Sequence, residues 1–212
     1  MIDVLAGEWR ATEAARTEVR RTIVVRRMAD TQIYLAGPVG PLTIPPLMQA
    51  VTERVSKGAR SLLLAISSPG GQIYWGVTAY NFLRGLGIEV ITHNFGQVDS
   101  ISGVIFCAGD RRLSVTQARF LIHGVSSTFP GTNVTLPERA LSSVLTSLAR
   151  DRDTIASILA SRTGTPLETV KQNMLDEVIL TAAEAIPYGF VHEINDEIFD
   201  PAQEIVQIIS AN

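Results

Sequence analysis

Residues 61–84 read SLLLAISSPGGQIYWGVTAYNFLR, which passes from an apolar run through a glycine turn into a predicted helix. The unbroken apolar run at its start is typical of a β-strand buried on both faces of a parallel sheet. The segment SPGG contains proline and two glycines, which favour a tight change of chain direction. The spacing in IYWGVTAYNFLR predicts a helix, so this stretch encodes one strand–turn–helix unit.

The same kind of unit recurs on both sides of this stretch, and the recurrence predicts the fold class. The further segments are QIYLAG (32–37, strand), PPLMQAVTERVSKG (45–58, helix), IEVITHN (88–94, strand), GQVDS (96–100, turn), ISGVIFCAG (101–109, helix), RLSV (112–115, strand) and RFLIH (119–123, strand). Alternation of strand and helix is the signature of an α/β fold with parallel crossover connections.

The second half of the chain contains one long predicted helix, from Leu136 to Arg162. Its apolar residues recur at helical spacing, and they are Leu141, Val144, Leu145, Leu148, Ile155, Ile158 and Leu159. Because the helix exceeds the usual length for a small domain, we expect it to project or to pack against another subunit. The segments TPLE (165–168) and TAAE (181–184) each predict a capping box at the start of a short helix.

The chain of 212 residues is long enough for one compact domain with a sizeable core. We expect that domain over residues 31–200. An arm rich in arginine and glutamate, helical or weakly ordered, would precede it at residues 1–30, and a helical tail would follow at 201–212.

Composition excludes several functional classes. The net charge is −3, so no general basic surface points to nucleic acid. No apolar run approaches the roughly 20 residues that cross a bilayer, and the N-terminal segment lacks the apolar core of a secretory signal. The single cysteine, Cys107, excludes an internal disulfide, and its neighbours in VIFCAG predict a buried structural thiol. We expect a cytoplasmic protein with no membrane or nucleic-acid partner, and nothing in the sequence calls for a cofactor or a metal.

Candidate catalytic residues lie where predicted strands end, which is where sites gather in open parallel sheets. Ser100 follows one strand, and His123 ends another and precedes a glycine and a polar loop. The other histidines, His93 and His192, are less favourably placed. Ser100 could equally cap the following helix, and His123 could be an ordinary surface residue.

The glycine pair at the SPGG turn is a candidate oxyanion site. Glycine permits a positive φ and lets a substrate approach the backbone N–H groups closely. Donors in such a turn would suit a developing negative charge. An ordinary connection between strand and helix is the alternative reading of the same residues.

Four segments of the chain resemble the proteolytic subunit of the Clp protease, ClpP, a family of the crotonase-like fold superfamily. They are ISSPGGQIYWGVTAYNFL, GQVDSISGVIFCAG, RFLIHGVSS and LTAAEAIPYGFVHEI, in the family's order and spacing, within a resemblance that runs from about residue 32 to 195. The resemblance implies a spiral of strand–helix units with a protruding handle helix at about 136–162.

The same resemblance implies a serine endopeptidase that hydrolyses unfolded proteins or small peptides inside an oligomeric chamber. It places Ser100 as nucleophile and His123 as base, with the backbone N–H groups of Gly70 and Ile101 as the oxyanion hole. It implies a homo-oligomer, as a heptameric ring or a double ring, and an AAA+ Clp unfoldase as a partner. It implies no cofactor and no metal.

Three departures from the family pattern bear on this reading. The position of the family's catalytic aspartate falls on Glu177, and its neighbour Asp176 is the alternative acid. Asp99 stands beside the nucleophile where the family has a small residue, and an added anion there could raise the pKa of the base or restrict the substrate. The first 30 residues do not resemble the family's N-terminal segment, which leaves docking of an unfoldase open.

Two other functions stay open at this point. The altered acid and Asp99 would suit a ring-forming pseudoprotease that regulates an active relative. Acyl-CoA hydratase or isomerase chemistry occurs in the same superfamily, but it would favour glutamates near the oxyanion turns, where this chain has serine and histidine. The sequence is also compatible with either a cellular or a phage origin.

Overall fold

A computed structural model describes residues 29–129, 131 and 135–210. The strands are β1 (Thr31–Ala36), β2 (Ser61–Ser68), β3 (Glu89–Asp99), β4 (Arg111–Ser114), β5 (Arg119–Ile122), β6 (Val178–Thr181), β7 (Glu193–Ile194) and β8 (Ile205–Ile209). The helices are α1 (Ile44–Ser56), α2 (Ile73–Arg84), α3 (Ser102–Phe106), α4 (Glu138–Thr163), α5 (Leu167–Leu175) and α6 (Ala182–Ala185). The predicted α/β class is confirmed.

Within the described residues, the strands form one eight-stranded sheet whose main path runs β6-β5-β3-β2-β1-β8. Every pairing on it is parallel except that of β5 with β6, which is antiparallel. Strand β3 takes part in two ladders along one edge, because residues 91–94 pair with β4 and residues 97–99 pair with β5. The sheet therefore splits at β3, just before Ser100.

The core forms where helices cover the strands. Leu62, Leu64 and Ile66 of β2 are fully buried and pack in one cluster with residues of α1, α2 and α3. The continuous apolar run of β2 is explained by this burial on both faces, since Leu63 belongs to a second cluster with Ile91. Burial of this kind contributes about 25 cal/mol per Å² of apolar surface.

Helix α4 spans 26 residues, or about 39 Å at the α-helical rise. Its C-terminal half packs on the core, where Ile155 and Leu159 are buried. Its N-terminal half carries Leu141 and Leu145 with about half of each side chain exposed. The protruding helix predicted from sequence is confirmed.

Three local predictions are wrong. Residues 201–212 were expected to be helical, but Ile205–Ile209 forms β8 and pairs with β1, because its β-branched residues suit an edge strand. The expected turn at 96–100 is mostly strand, because β3 continues to Asp99 beside β5. The segment TPLE makes no capping box: α5 follows Pro166, and Thr165 Oγ1 donates to Tyr188 O instead.

The capping box predicted at TAAE is present, with Thr181 and Glu184 bonded to each other's backbone N–H groups. Of the predicted N-terminal arm, residues 1–28 lie outside the described part of the chain. No helix in the described ranges is long and apolar enough to span a membrane.

Candidate active site

Ser100 lies at the junction between β3 and α3. Its N–H group donates to Leu121 O of β5 at 2.8 Å, and its carbonyl accepts from Gly103 N at 3.0 Å. Every residue of α3 is buried, so the helix that follows the serine is fixed in the core. The junction is anchored on both sides of the serine.

The backbone at Ser100 is strained. Its φ is 59°, and among the described residues the only other non-glycine residue with positive φ is Glu177, at 54°. A left-handed conformation costs an L-residue roughly 1–2 kcal/mol. Such strain clusters at functional sites, where the surrounding structure holds it in place. At Glu177 the strain has a second explanation, since this residue follows the C-cap of α5 and ends that helix.

A cavity of about 420 Å³ opens at Ser100 and is shared with His123. His123 is the only titratable side chain among its described lining residues. No hydrogen bond between Ser100 Oγ and His123 is found in the described part of the chain, so the predicted pair shares a cavity without being hydrogen-bonded. Catalytic hydrogen bonds are often long before substrate binds.

The other two histidines lie away from this cavity. His93 is buried in β3, where its Nε2 contacts Asn195 O at 2.8 Å, and burial lowers the pKa of its ring. His192 Nδ1 accepts from the Arg112 N–H at 3.2 Å, and partial burial, with nearby arginines, lowers the pKa of this ring as well. Neither lines the cavity.

The SPGG turn lies directly against the serine. A Cβ placed on Gly70 would lie 2.6 Å from Ser100 Cβ, so only glycine fits there without a shift. The Gly70 N–H donates to Ser68 Oγ at 3.1 Å. The turn is held from outside by Val39, whose N–H donates to Gly70 O at 2.8 Å and whose carbonyl accepts from Gln72 N at 2.9 Å.

The two predicted oxyanion donors therefore differ in whether their N–H group already has an acceptor. The Gly70 N–H is bonded to Ser68, and a substrate oxygen would have to replace that acceptor. For the Ile101 N–H, no acceptor is found within the described ranges. Ile101 is adjacent to Ser100 in sequence, and Gly70 lies against it in space.

The two candidate acids occupy different environments. Asp176 is the C-cap of α5, and its Oδ1 accepts from Gln172 Nε2 at 2.9 Å. Glu177 immediately precedes β6, and the register pairs Ile122 with Val178. The ladder ends at this pair, and His123 and Glu177 are the next residues beyond it. Because Glu177 has a left-handed φ, the alternation of strand side chains does not set its direction. Neither acid is among the described residues that line the cavity.

Asp99 does not face the cavity. Its carboxylate is buried and forms an ion pair with Arg119 Nη2 at 2.7 Å. It is absent from the lining of the cavity. The charge of Asp99, which the sequence placed beside the nucleophile, is therefore paired with Arg119 of β5.

The inner wall of the cavity is apolar, and this part of the site was not found from sequence. Its described members come from β5, α4, α5 and the segment after α6, and they are Phe120, Ile155, Leu159, Met174 and Phe190. The helical periodicity of α4 marked two of them as apolar, but it could not show that the far end of the projecting helix reaches the serine.

The opposite end of α3 is held by two arginines. Arg162 donates to Cys107 O and Gly109 O, and Arg112 donates to Gly109 O, Phe190 O and other carbonyls. Cys107 itself is fully buried, as predicted, and burial raises the pKa of its thiol to about 12. These contacts tie the helix after the serine to α4. In the described residues, no cluster of side chains suited to a metal is present.

The fold and the cavity together define a class: an α/β protein with a strained serine and a histidine at the carboxyl ends of neighbouring strands. A family model described as Clp protease matches residues 16–198. The chain therefore belongs to the Clp protease family and is a ClpP-type peptidase. The match begins at residue 16, so the likeness extends further toward the N-terminus than the motifs alone indicated.

Individual relatives agree with this assignment. The ATP-dependent Clp protease proteolytic subunit 2 of Chlamydia muridarum is 29% identical over 178 residues, covering 81% of this chain and 84% of that protein. The ATP-dependent Clp protease proteolytic subunit of Deinococcus radiodurans is 25% identical over 188 residues, covering 87% and 90%. A solved ClpP1 point mutant from Listeria monocytogenes shares the fold, with a TM-score of 0.71 at 20% identity over 78% of this chain and 91% of that chain.

Proposed function

We propose that the chain is a serine endopeptidase in which Ser100 is the nucleophile and His123 the general base. The observation that carries the proposal is the strained Ser100 backbone at the mouth of a cavity that His123 also lines. His123 would take the hydroxyl proton as Ser100 Oγ bonds to the substrate carbonyl carbon. The same proton would then pass to the leaving amine, and water would hydrolyse the acyl-enzyme.

The oxyanion of the tetrahedral intermediate would bind the backbone N–H groups of Ile101 and Gly70. The support is their position beside Ser100 and the close approach of Gly70 to it. Because Gly70 N–H is bonded to Ser68 Oγ, the oxyanion would replace that hydroxyl as acceptor. An exchange of one acceptor for a charged one is favourable, since hydrogen bonds to charged groups are about twice as strong.

Glu177 is the acid that we assign to His123. Glu177 and His123 each lie one residue beyond the Ile122–Val178 pair that ends the β5–β6 ladder, which favours Glu177, while the Asp176 carboxylate already accepts a hydrogen bond from Gln172. The acid would accept the second ring N–H of His123, fix its tautomer and stabilise the imidazolium.

The apolar wall of the cavity indicates which substrate side chains the site accepts. Leu159, Met174 and Phe190 line a space of about 420 Å³ next to Ser100. No Asp, Glu, Lys or Arg is among the described lining residues, so a charged substrate side chain placed against this wall would lose hydration without gaining such an ionic partner. We expect cleavage after apolar residues of unfolded or short peptides.

We further propose a homo-oligomer, as a ring or double ring, in which the exposed face of α4 contacts another subunit. The support is the pair Leu141 and Leu145, which project from the domain with large exposed fractions. Relatives named as subunits of an ATP-dependent protease suggest an AAA+ unfoldase as partner. The cytoplasmic location stays a prediction.

Replacement of the nucleophile tests the function. We expect Ser100→Ala to lower turnover of a fluorogenic peptide on the order of 10⁴-fold or more, with melting temperature and particle size unchanged. Turnover within tenfold of wild type would refute the assignment. A wild-type particle that assembles but cleaves no peptide of any composition would favour the pseudoprotease alternative.

A further inference from the structure

Asp99 and Arg119 form an ion pair on the face of the sheet that looks away from the cavity. The side chains of β3 and β5 alternate between the two faces, and Val98, Phe120 and Ile122 share the face that lines the cavity. Leu121 also borders the cavity, and its carbonyl accepts from the Ser100 N–H. Asp99 and Arg119 point to the other side, where Arg119 Nη2 donates to Asp99 Oδ2 at 2.7 Å. The pair thus lies directly behind the site.

The pair is unevenly buried. The Asp99 side chain is 5% exposed and the Arg119 side chain 50%. Asp99 Oδ1 has no hydrogen-bond partner within the described residues, so Arg119 is the group that compensates this buried charge. Removal of one partner of a buried pair is far more costly than removal of both.

A short ladder connects the pair to the reacting residues. The β3–β5 pairing comprises Gln97 with Arg119, Val98 with Phe120, and Asp99 with Leu121. The Ser100 N–H extends this ladder by donating to Leu121 O. His123 follows Leu121 by two residues. These three residue pairs therefore set the distance between Ser100 and His123. Arg119 belongs to the first pair and Asp99 to the last, so their ion pair spans the whole ladder.

Asp99 is fixed at both of its ends. Its carbonyl accepts a hydrogen bond from Ser102 Oγ at 2.6 Å, and its carboxylate is held by Arg119. The next residue, Ser100, carries the left-handed φ of 59°. A strained residue keeps its conformation only where its neighbours are held.

We propose that the Asp99–Arg119 pair is a positioning device for catalysis, which fixes Ser100 relative to His123 from the far face of the sheet. The inference rests on the proposed serine peptidase function. Neither residue touches the substrate, so the pair acts through the β3–β5 ladder. Its loss should slow the chemical step and leave peptide binding unchanged.

The test compares the variants Arg119→Met, Asp99→Asn/Arg119→Met and Arg119→Lys in the assembled protein. We expect kcat to fall on the order of tenfold or more in the double variant, and further in Arg119→Met, while KM stays within about twofold. The rate of Ser100 modification by a fluorophosphonate should fall by the same factor as kcat. Arg119→Lys restores a cation within reach of the carboxylate, so we expect it to recover most of the activity.

A matched control is the variant Arg84→Met/Asp110→Asn. Arg84 and Asp110 form another ion pair of the same residue types, which joins α2 to the segment after α3 and does not line the cavity. Both side chains of this control pair are at least about a third exposed, so its loss should cost less stability than loss of the buried pair. We expect wild-type kcat in this control, with a small change in melting temperature.

The kinetic constants and the fluorophosphonate rate of these variants decide whether the ion pair positions Ser100. A double variant with kcat and fluorophosphonate rate within threefold of wild type overturns it, as does a loss confined to KM. If Arg119→Met does not assemble, the proposal is judged on Asp99→Asn/Arg119→Met alone, because that double variant leaves no unpaired buried charge. Wild-type protein that the fluorophosphonate does not modify would instead refute the proposed function itself.

Discussion

Gly70→Ala should abolish peptidase activity while leaving the fold in place. Gly70 has a φ of +90°, and an added Cβ would lie 2.6 Å from Ser100 Cβ and 2.8 Å from Asp99 O. The left-handed backbone alone costs an alanine about 1–2 kcal/mol. The close contacts must in addition displace the turn or the serine, because these atoms belong to the rigid β3–α3 junction. A shift there would misplace both the nucleophile and the Gly70 donor, and loss of one oxyanion donor costs on the order of 10²–10³ in kcat.

Gly58→Ala provides the matched control. Gly58 has nearly the same φ, +95°, but no atom of the described residues lies within 4 Å of its added Cβ. Gly58→Ala should show the loss of melting temperature that backbone strain alone causes, and Gly70→Ala should lose at least as much because of its added close contacts. Only Gly70→Ala should lose kcat/KM on a fluorogenic peptide. A Gly70→Ala enzyme within threefold of Gly58→Ala would show that the SPGG turn does not approach the reacting atoms as described.

Three further outcomes are expected. Glu177→Gln should lower kcat/KM more than about 10²-fold while Asp176→Asn stays near wild type, and the reverse pattern would transfer the role to Asp176. Leu141→Glu together with Leu145→Glu should convert large particles into smaller ones on sizing, and a wild-type protein that runs as a monomer at micromolar concentration would contradict the contact. Burial raises the pKa of Cys107 to about 12, so the thiol stays protonated between pH 6 and 9. A thiol reagent should modify it only after unfolding, and modification of the native particle would contradict the buried position.

Strands, turns and helices could be predicted from the sequence where a single local pattern was strong. The apolar run of β2, the glycine turn after it and the helical spacing of α4 each predicted the structure that is found. The prediction of a helical tail failed because residues 201–212 contain β-branched residues that form a strand only through pairing with β1. Edge pairing of this kind depends on a distant strand, which local propensity does not report.

The positions of Ser100 and His123 at one cavity could be predicted from the sequence, but the contacts around them could not. Ser100 and His123 follow strands, and that position placed both at one cavity. The role of Asp99 could not be predicted, because whether its charge faces the cavity depends on the pairing with Arg119, 20 residues away. The apolar wall formed by Leu159 and Met174 likewise requires the packing of α4 and α5.

The central claim is that Ser100 is an activated nucleophile, and covalent labelling tests it most directly. The assembled wild-type protein would be incubated with a fluorophosphonate, and the modified peptide located by mass spectrometry. The account predicts one adduct per chain, on Ser100, which forms far more slowly in a His123→Ala variant that assembles normally. An assembled wild-type particle that gains no adduct, or gains one on a different residue, would contradict it.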